Sequence, residues 1–212
     1  MVSTSVPTKT PNKTLRRAQS RAGVELLIGI VALMWIVEVL NWIDGYHLDN
    51  DGIYPRNLGR IWGILTSPFI HANFAPHLLD NTIPLVFMGV IIALSGAARL
   101  ALVTAIVIIV GGLGTWLIAP SGTVTIGASG IVFGYATYLF ARGLFDRNAL
   151  ELVTGIVVGA VWGGALVASI VPHTGVSWQA HVCGAIGGVV AAAVMARERP
   201  ARGGAELPAA VS

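Results

Sequence analysis

The chain has 212 residues, of which 55% are hydrophobic and only 11% charged, and its mean hydropathy is +0.76. An ordinary soluble domain carries about 25% charged residues, so this composition excludes one and indicates an integral membrane protein. The net charge of +3 and the pI near 9.4 do not indicate a nucleic-acid binder, because the basic residues flank apolar segments and are not interleaved with aromatics on a polar face.

Residues 1–22 are rich in Ser, Thr, Pro, Lys and Arg and lack the apolar core of a cleaved signal peptide. They are expected to form a mobile basic tail. Apolar segments follow at 24–43, 77–95, 100–118, 129–145, 150–171 and 179–196, most of them near the roughly 20 residues that a spanning helix needs. Residues 23–197 are therefore expected to form one all-α membrane domain of six transmembrane helices, followed by a disordered tail at 198–212. The first outer loop, 44–75, is long and holds Tyr54, Arg56, Arg60, Trp62 and Phe69, a composition suited to the membrane interface. Six spans place both termini on one side. Lys9, Lys13, Arg16, Arg17, Arg21, Arg99, Arg142, Arg147, Arg197, Arg199 and Arg202 share that side, leaving Arg56 and Arg60 opposite, so the positive-inside bias makes the termini cytoplasmic in a multi-pass cell-membrane protein. The single cysteine, Cys183, excludes an intrachain disulfide and reads as a small buried hydrophobe.

With that topology, spans two, four and six all run inward from the outer face, and each carries polar residues in its first turns. His77 and Asn81 open span two, Ser129 opens span four and His181 opens span six. At 1.5 Å per residue these side chains lie only roughly 3–8 Å below the helix starts, so all four share one depth. His77 and Asn81 are spaced i, i+4 and project from one face, and Pro76 suits the first helical position. The segment 119–127 before Ser129 is mildly polar and uncharged, so it is expected to dip below the surface.

A serine becomes a useful nucleophile beside a base, and the His181 imidazole titrates in the right range. Asp80 is the one carboxylate near these residues. It can bond within the loop, be protonated or face site water, and the sequence leaves these alternatives open. A Ser129–His181 dyad is thus the economical arrangement. The Asn81 carboxamide, the His77 ring and the Ser129 N–H supply donors for an oxyanion, while Gly127 and Gly130 keep side chains away from the serine. His71, His77, Asp80 and His181 are of zinc-ligating types, but there is no His-Glu-x-x-His, and the spans lack the paired intramembrane aspartates that an aspartyl protease requires. No metal or other cofactor is expected.

Three motifs stand in order: His77-Leu78-Leu79-Asp80-Asn81, Gly127-Ala128-Ser129-Gly130, and Ala180-His181-Val182-Cys183-Gly184-Ala185-Ile186-Gly187-Gly188. Together they resemble the rhomboid family of intramembrane serine proteases in its bacterial six-helix form, over residues 24–196. The resemblance implies Ser129 as nucleophile, His181 as general base, and His77, Asn81 and the Ser129 amide as oxyanion stabilisers. It also implies a site opening to the outer face, where transmembrane protein substrates enter from the lipid bilayer and unwind locally. Gly184 and Gly188 form a small-xxx-small face for packing span six on span four. Two positions depart from the family pattern. His71 lies six residues before His77 where the family often has five, and Phe133 stands where a tyrosine often packs on the catalytic histidine. The family's usual Trp-Arg pair in the first loop is not evident either. The competing expectation is a catalytically silent rhomboid-like protein that binds client transmembrane helices. No nucleic acid is expected as a partner, and the oligomeric state is left unassigned.

Overall fold

The computed structural model describes residues 13–146, 149–168 and 175–197. The two tail expectations, for residues 1–12 and 198–212, lie outside the described residues. Helix α1 runs Lys13–Ile43, so residues 13–22, expected in the tail, are helical. Leu15, Arg16, Arg17, Ala18 and Gln19 are strong helix formers, and a search for apolar length alone starts the element too late.

After α1 the chain makes short 3₁₀ turns at His47–Asp51, Leu58–Arg60 and Ser67–Phe69, with a one-turn helix α2 at Gly63–Thr66 between the last two. A π-type turn, Phe74–Leu78, leads into α3 (Leu79–Ala93). Then come α4 (Ala97–Ile118), α5 (Ser129–Asp146), α6 (Ala149–Ala168) and α7 (Trp178–Arg197). The described residues form no strand; one antiparallel bridge joins Ile53 to Thr125. Four helical stretches, Lys13–Ile43, Phe74–Ala93, Ala97–Ile118 and Trp178–Ala196, are each long and apolar enough to cross a membrane.

The surface has the same character. Ile36 and Leu40 on α1, Ile83 and Phe87 on α3, Ile109 and Leu117 on α4, Ile156 and Val161 on α6, and Ile186 on α7 are all exposed. So much apolar surface on one small chain needs lipid to cover it. The core gathers Met34, Leu85, Met88, Leu100, Val103, Tyr135 and Ala191, all fully buried.

Helix α7 sits between α4 and α5 because glycines open both of its flanks. A Cβ at Gly184 would run into the Gly130 carbonyl, and one at Gly188 into the Gly134 carbonyl and the Thr137 hydroxyl, all on α5. On the other flank a Cβ at Gly187 would meet Val107 Cα of α4 at 3.0 Å. Thr137 Oγ1 also donates across to the Ala185 carbonyl at 2.7 Å. The backbones of α5 and α7 touch along two successive turns, and these turns follow directly on Ser129 and His181.

Candidate active site

Each candidate side chain sits at a helix start, and the local sequence explains where the helix starts. Ser177 caps α7: its Oγ accepts the Ala180 N–H at 3.3 Å and its carbonyl accepts the His181 N–H at 3.3 Å. His181 is therefore held in the first turn, 5% exposed. Its ring lies flat against Phe133, with centroids 4.3 Å apart and planes 6° apart, so the phenyl ring occupies the histidine's face without a hydroxyl.

Ser129 opens α5 after a chain segment pinned by the first loop at three successive places. Thr125 exchanges two main-chain hydrogen bonds with Ile53, at 2.9 and 3.1 Å. The Gly127 N–H donates to the Ser67 carbonyl at 2.8 Å. The Ala128 N–H donates to His71 Nε2 at 3.2 Å. Gly127 has a φ of +108°, which favours glycine at the turn into the serine. Upstream, Arg56 holds the end of α4 and the segment after it, donating to the Leu117 and Ala119 carbonyls at 2.8 Å each and to Ser121 Oγ at 2.6 Å.

His71 is 1% exposed. Burial pushes its imidazole down to about 4, and the nearby His77 adds to this, while the Phe69 main chain opposes it. The ring is therefore neutral, with its proton on Nδ1 and the Nε2 lone pair available to Ala128. Behind it, Asn41 of α1 donates to the His71 carbonyl at 3.2 Å and to Asp49 Oδ1 at 2.8 Å, and accepts the Leu48 N–H at 3.0 Å.

On α3 the geometry differs from the expected start at Pro76, which lies inside the π-type turn. Asn73 caps this turn. Its Oδ1 accepts both the His77 N–H at 3.2 Å and His77 Nδ1 at 3.0 Å. The main-chain N–H can only donate, so the shared Asn73 atom is oxygen and the His77 ring proton is on Nδ1. Asn81 Nδ2 donates one hydrogen to the His77 carbonyl at 3.0 Å, and a Cβ at Gly127 would lie 3.8 Å from that nitrogen, so the carboxamide faces the serine loop. Pro84, in the same wall, has no N–H to offer the Asp80 carbonyl.

These residues line one cavity of about 630 Å³. Ser129 and His181 contribute to it from α5 and α7, His77, Asp80 and Asn81 from the α3 side, together with Gly127, Phe133 and Ser177. Ser129 and Asn81 are half-buried, and His77 is exposed. Gly130, Gly184 and Gly188 are not in the lining; they lie in the helix contact behind it. Among the described residues no three of His, Cys, Asp and Glu gather closely enough to hold a metal ion. Three supporting residues, Asn41, Asn73 and Ser177, stand outside the three sequence motifs. Asn73 and Ser177 are cap residues before helical segments, a pattern open to recognition. Asn41 acts through partners distant in sequence, and nothing local marks it.

The family model for the Rhomboid domain matches residues 58–198. An uncharacterized protein of Mycobacterium tuberculosis (strain ATCC 25618 / H37Rv) is 41% identical over 208 residues, covering 94% of this chain and 86% of its own. An uncharacterized protein of Mycobacterium leprae (strain TN) is 41% identical over 204 residues, covering 92% and 80%. A Bacillus subtilis (strain 168) protein bearing the name "Putative rhomboid protease YdcA" is 29% identical over 176 residues, covering 78% and 84%.

Proposed function

The chain belongs to the rhomboid family, and from that premise we propose that it is an intramembrane serine endopeptidase working with a Ser129–His181 dyad. The observation that carries the reading is the shared cavity: a serine and a buried histidine from two helices in backbone contact, facing a wall with an amide and an imidazole. In this reading the helices cross the membrane six times, both termini are cytoplasmic, and the cavity opens to the outer face.

The chemistry follows from the groups present. His181 takes the Ser129 Oγ proton as the oxygen attacks a peptide carbonyl of an unwound substrate segment, then returns it to the departing amine. Water repeats the sequence in reverse on the acyl-enzyme. Asn81 Nδ2 has a second N–H for the oxyanion, and the Ser129 main-chain N–H at the start of α5 adds another. His77 contributes differently, since with its proton on Nδ1 it donates from Nε2 only as an imidazolium.

The test is cleavage of single-span membrane proteins by the reconstituted protein, beside labelling by a serine-directed fluorophosphonate. Wild type is labelled and cuts, whereas Ser129→Ala and His181→Ala do neither although they remain folded. Asn81→Ala lowers turnover by roughly 100-fold with a smaller change in KM, the scale of a lost oxyanion donor. Wild-type protein that binds client helices but resists labelling would establish the catalytically silent alternative.

A further inference from the structure

The aspartates at the cavity end of the bundle differ in one respect. Asp44 Oδ2 lies 3.7 Å from His47 Nδ1, Asp49 accepts from Asn41 at 2.8 Å, and Asp51 pairs with Arg60 at 3.0 Å. Asp80 is exposed and has no hydrogen bond or ion pair among the described residues. The cations at this end have other partners: Arg56 is bound to the 117–121 segment, and Arg60 to Asp51 and the faces of Tyr54 and Trp62. Asp80 is also the one Asp, Glu, Lys or Arg among the described residues that line the cavity, and the same lining includes the apolar Ile83, Pro84, Val132 and Val176.

We infer that Asp80 is a specificity residue that selects client segments carrying a Lys or Arg side chain close to the bond facing Ser129. This rests on the reading of the cavity as the site that receives transmembrane segments. An unpaired carboxylate beside apolar walls attracts a cation more strongly once a bound segment displaces water. It repels an anion at the same place. The preference is informative because outer ends of membrane spans are poor in Lys and Arg, so a cation requirement there singles out a small fraction of possible clients.

The test uses full-length Ser129→Ala protein in nanodiscs, which holds a segment without turning it over. A fluorescent single-span peptide is bound in versions with Lys, Gln or Glu scanned through the residues flanking the expected cut. At one or more positions the Lys peptide binds about fivefold or more tighter than the Glu peptide, in the range of a partly screened ion pair, and the ratio shrinks with added salt. Adding Asp80→Asn brings the ratio to near one, and adding Asp80→Lys inverts it. Ratios within twofold at every position, or a ratio that survives Asp80→Asn, overturn the inference. Fluorophosphonate labelling of the wild-type serine is measured alongside: charge selection without labelling keeps the role of Asp80 and removes the protease reading, and labelling without charge selection does the opposite.

Discussion

The cavity has one hard side and one soft side. Between α5 and α7 the contact is backbone on backbone, made by Gly130 and Gly134 against Gly184 and Gly188, with the Thr137 hydrogen bond across it. The opposite side hangs from polar side chains: Asn73 on His77, His71 on Ala128, and Asn41 on Asp49 and the His71 carbonyl. On this side His77 and Asp80 are exposed, whereas His181 on the hard side is buried. A hard contact fixes a separation because nothing in it can compress. A hydrogen-bonded wall can exchange partners at modest cost. The division matches the proposed chemistry, in which nucleophile and base need a constant separation while the α3 side accommodates differing segments.

The largest effect is expected where the hard side is broken. Gly184→Ala puts a methyl into the Gly130 carbonyl, and Gly188→Ala puts one into the Gly134 carbonyl. Neither backbone can move aside cheaply, so each costs roughly 3 kcal/mol or more, the upper end of overpacking penalties. Fluorophosphonate labelling falls with it. The matched control is Gly159→Ala on α6, where an added Cβ meets nothing within 4 Å; there alanine is neutral or stabilising by about 0.5–1 kcal/mol. Unfolding in detergent reads both. Equal stability for Gly184→Ala and Gly159→Ala would mean that the α5–α7 contact yields to an added methyl and is not hard.

The hard side was the more legible one. The Gly184 and Gly188 spacing is local, and a four-residue glycine repeat in an apolar span has few uses besides close packing. Helix positions were legible for the same reason, since hydropathy is a local sum, and the observed helices at 97–118 and 129–146 begin and end within three residues of the expected apolar segments. The start of α1 was not, because Lys13–Ala22 is helical without being apolar. The soft side was largely hidden. The partners His71 and Ala128 are 57 residues apart, and Asn41 and His71 are 30 apart. Nothing in either local sequence selects the other; only the folded chain brings them together.

The soft side is expected to be pH-sensitive through His71. Its ring is held near 4 in the fold against an ordinary 6.5, so between these values the unfolded chain takes up a proton that the folded chain refuses. The stability contributed by the neutral ring is complete above about 6.5 and is lost as pH falls toward 4, by roughly 3 kcal/mol at about 1.4 kcal/mol per pH unit. His71→Gln keeps an acceptor for the Ala128 N–H and does not titrate. The slope of the melting midpoint against pH between 6.5 and 4 should therefore be shallower in this variant than in wild type. Parallel slopes would place the acid sensitivity elsewhere.

The smallest expected effect concerns Phe133, whose ring belongs to the hard side yet also lines the cavity. Its stacking on His181, at 4.3 Å and 6°, restricts rotation of the imidazole and leaves the ring nitrogens to their partners in the ring plane. An aromatic pair of this kind is worth about 0.5–1.5 kcal/mol. If the whole of it supports the orientation used in proton transfer, Phe133→Leu slows turnover by about two- to tenfold and leaves KM nearly unchanged, because the substrate does not need that ring face. Phe133→Tyr keeps the stack, and its hydroxyl can extend into the cavity, so its turnover stays close to wild type. The fluorophosphonate labelling rate should follow turnover across the three proteins, since both report how readily His181 activates Ser129. Equal rates for Leu and Phe would mean that the Ser177 cap and the α5–α7 contact orient His181 without the stack.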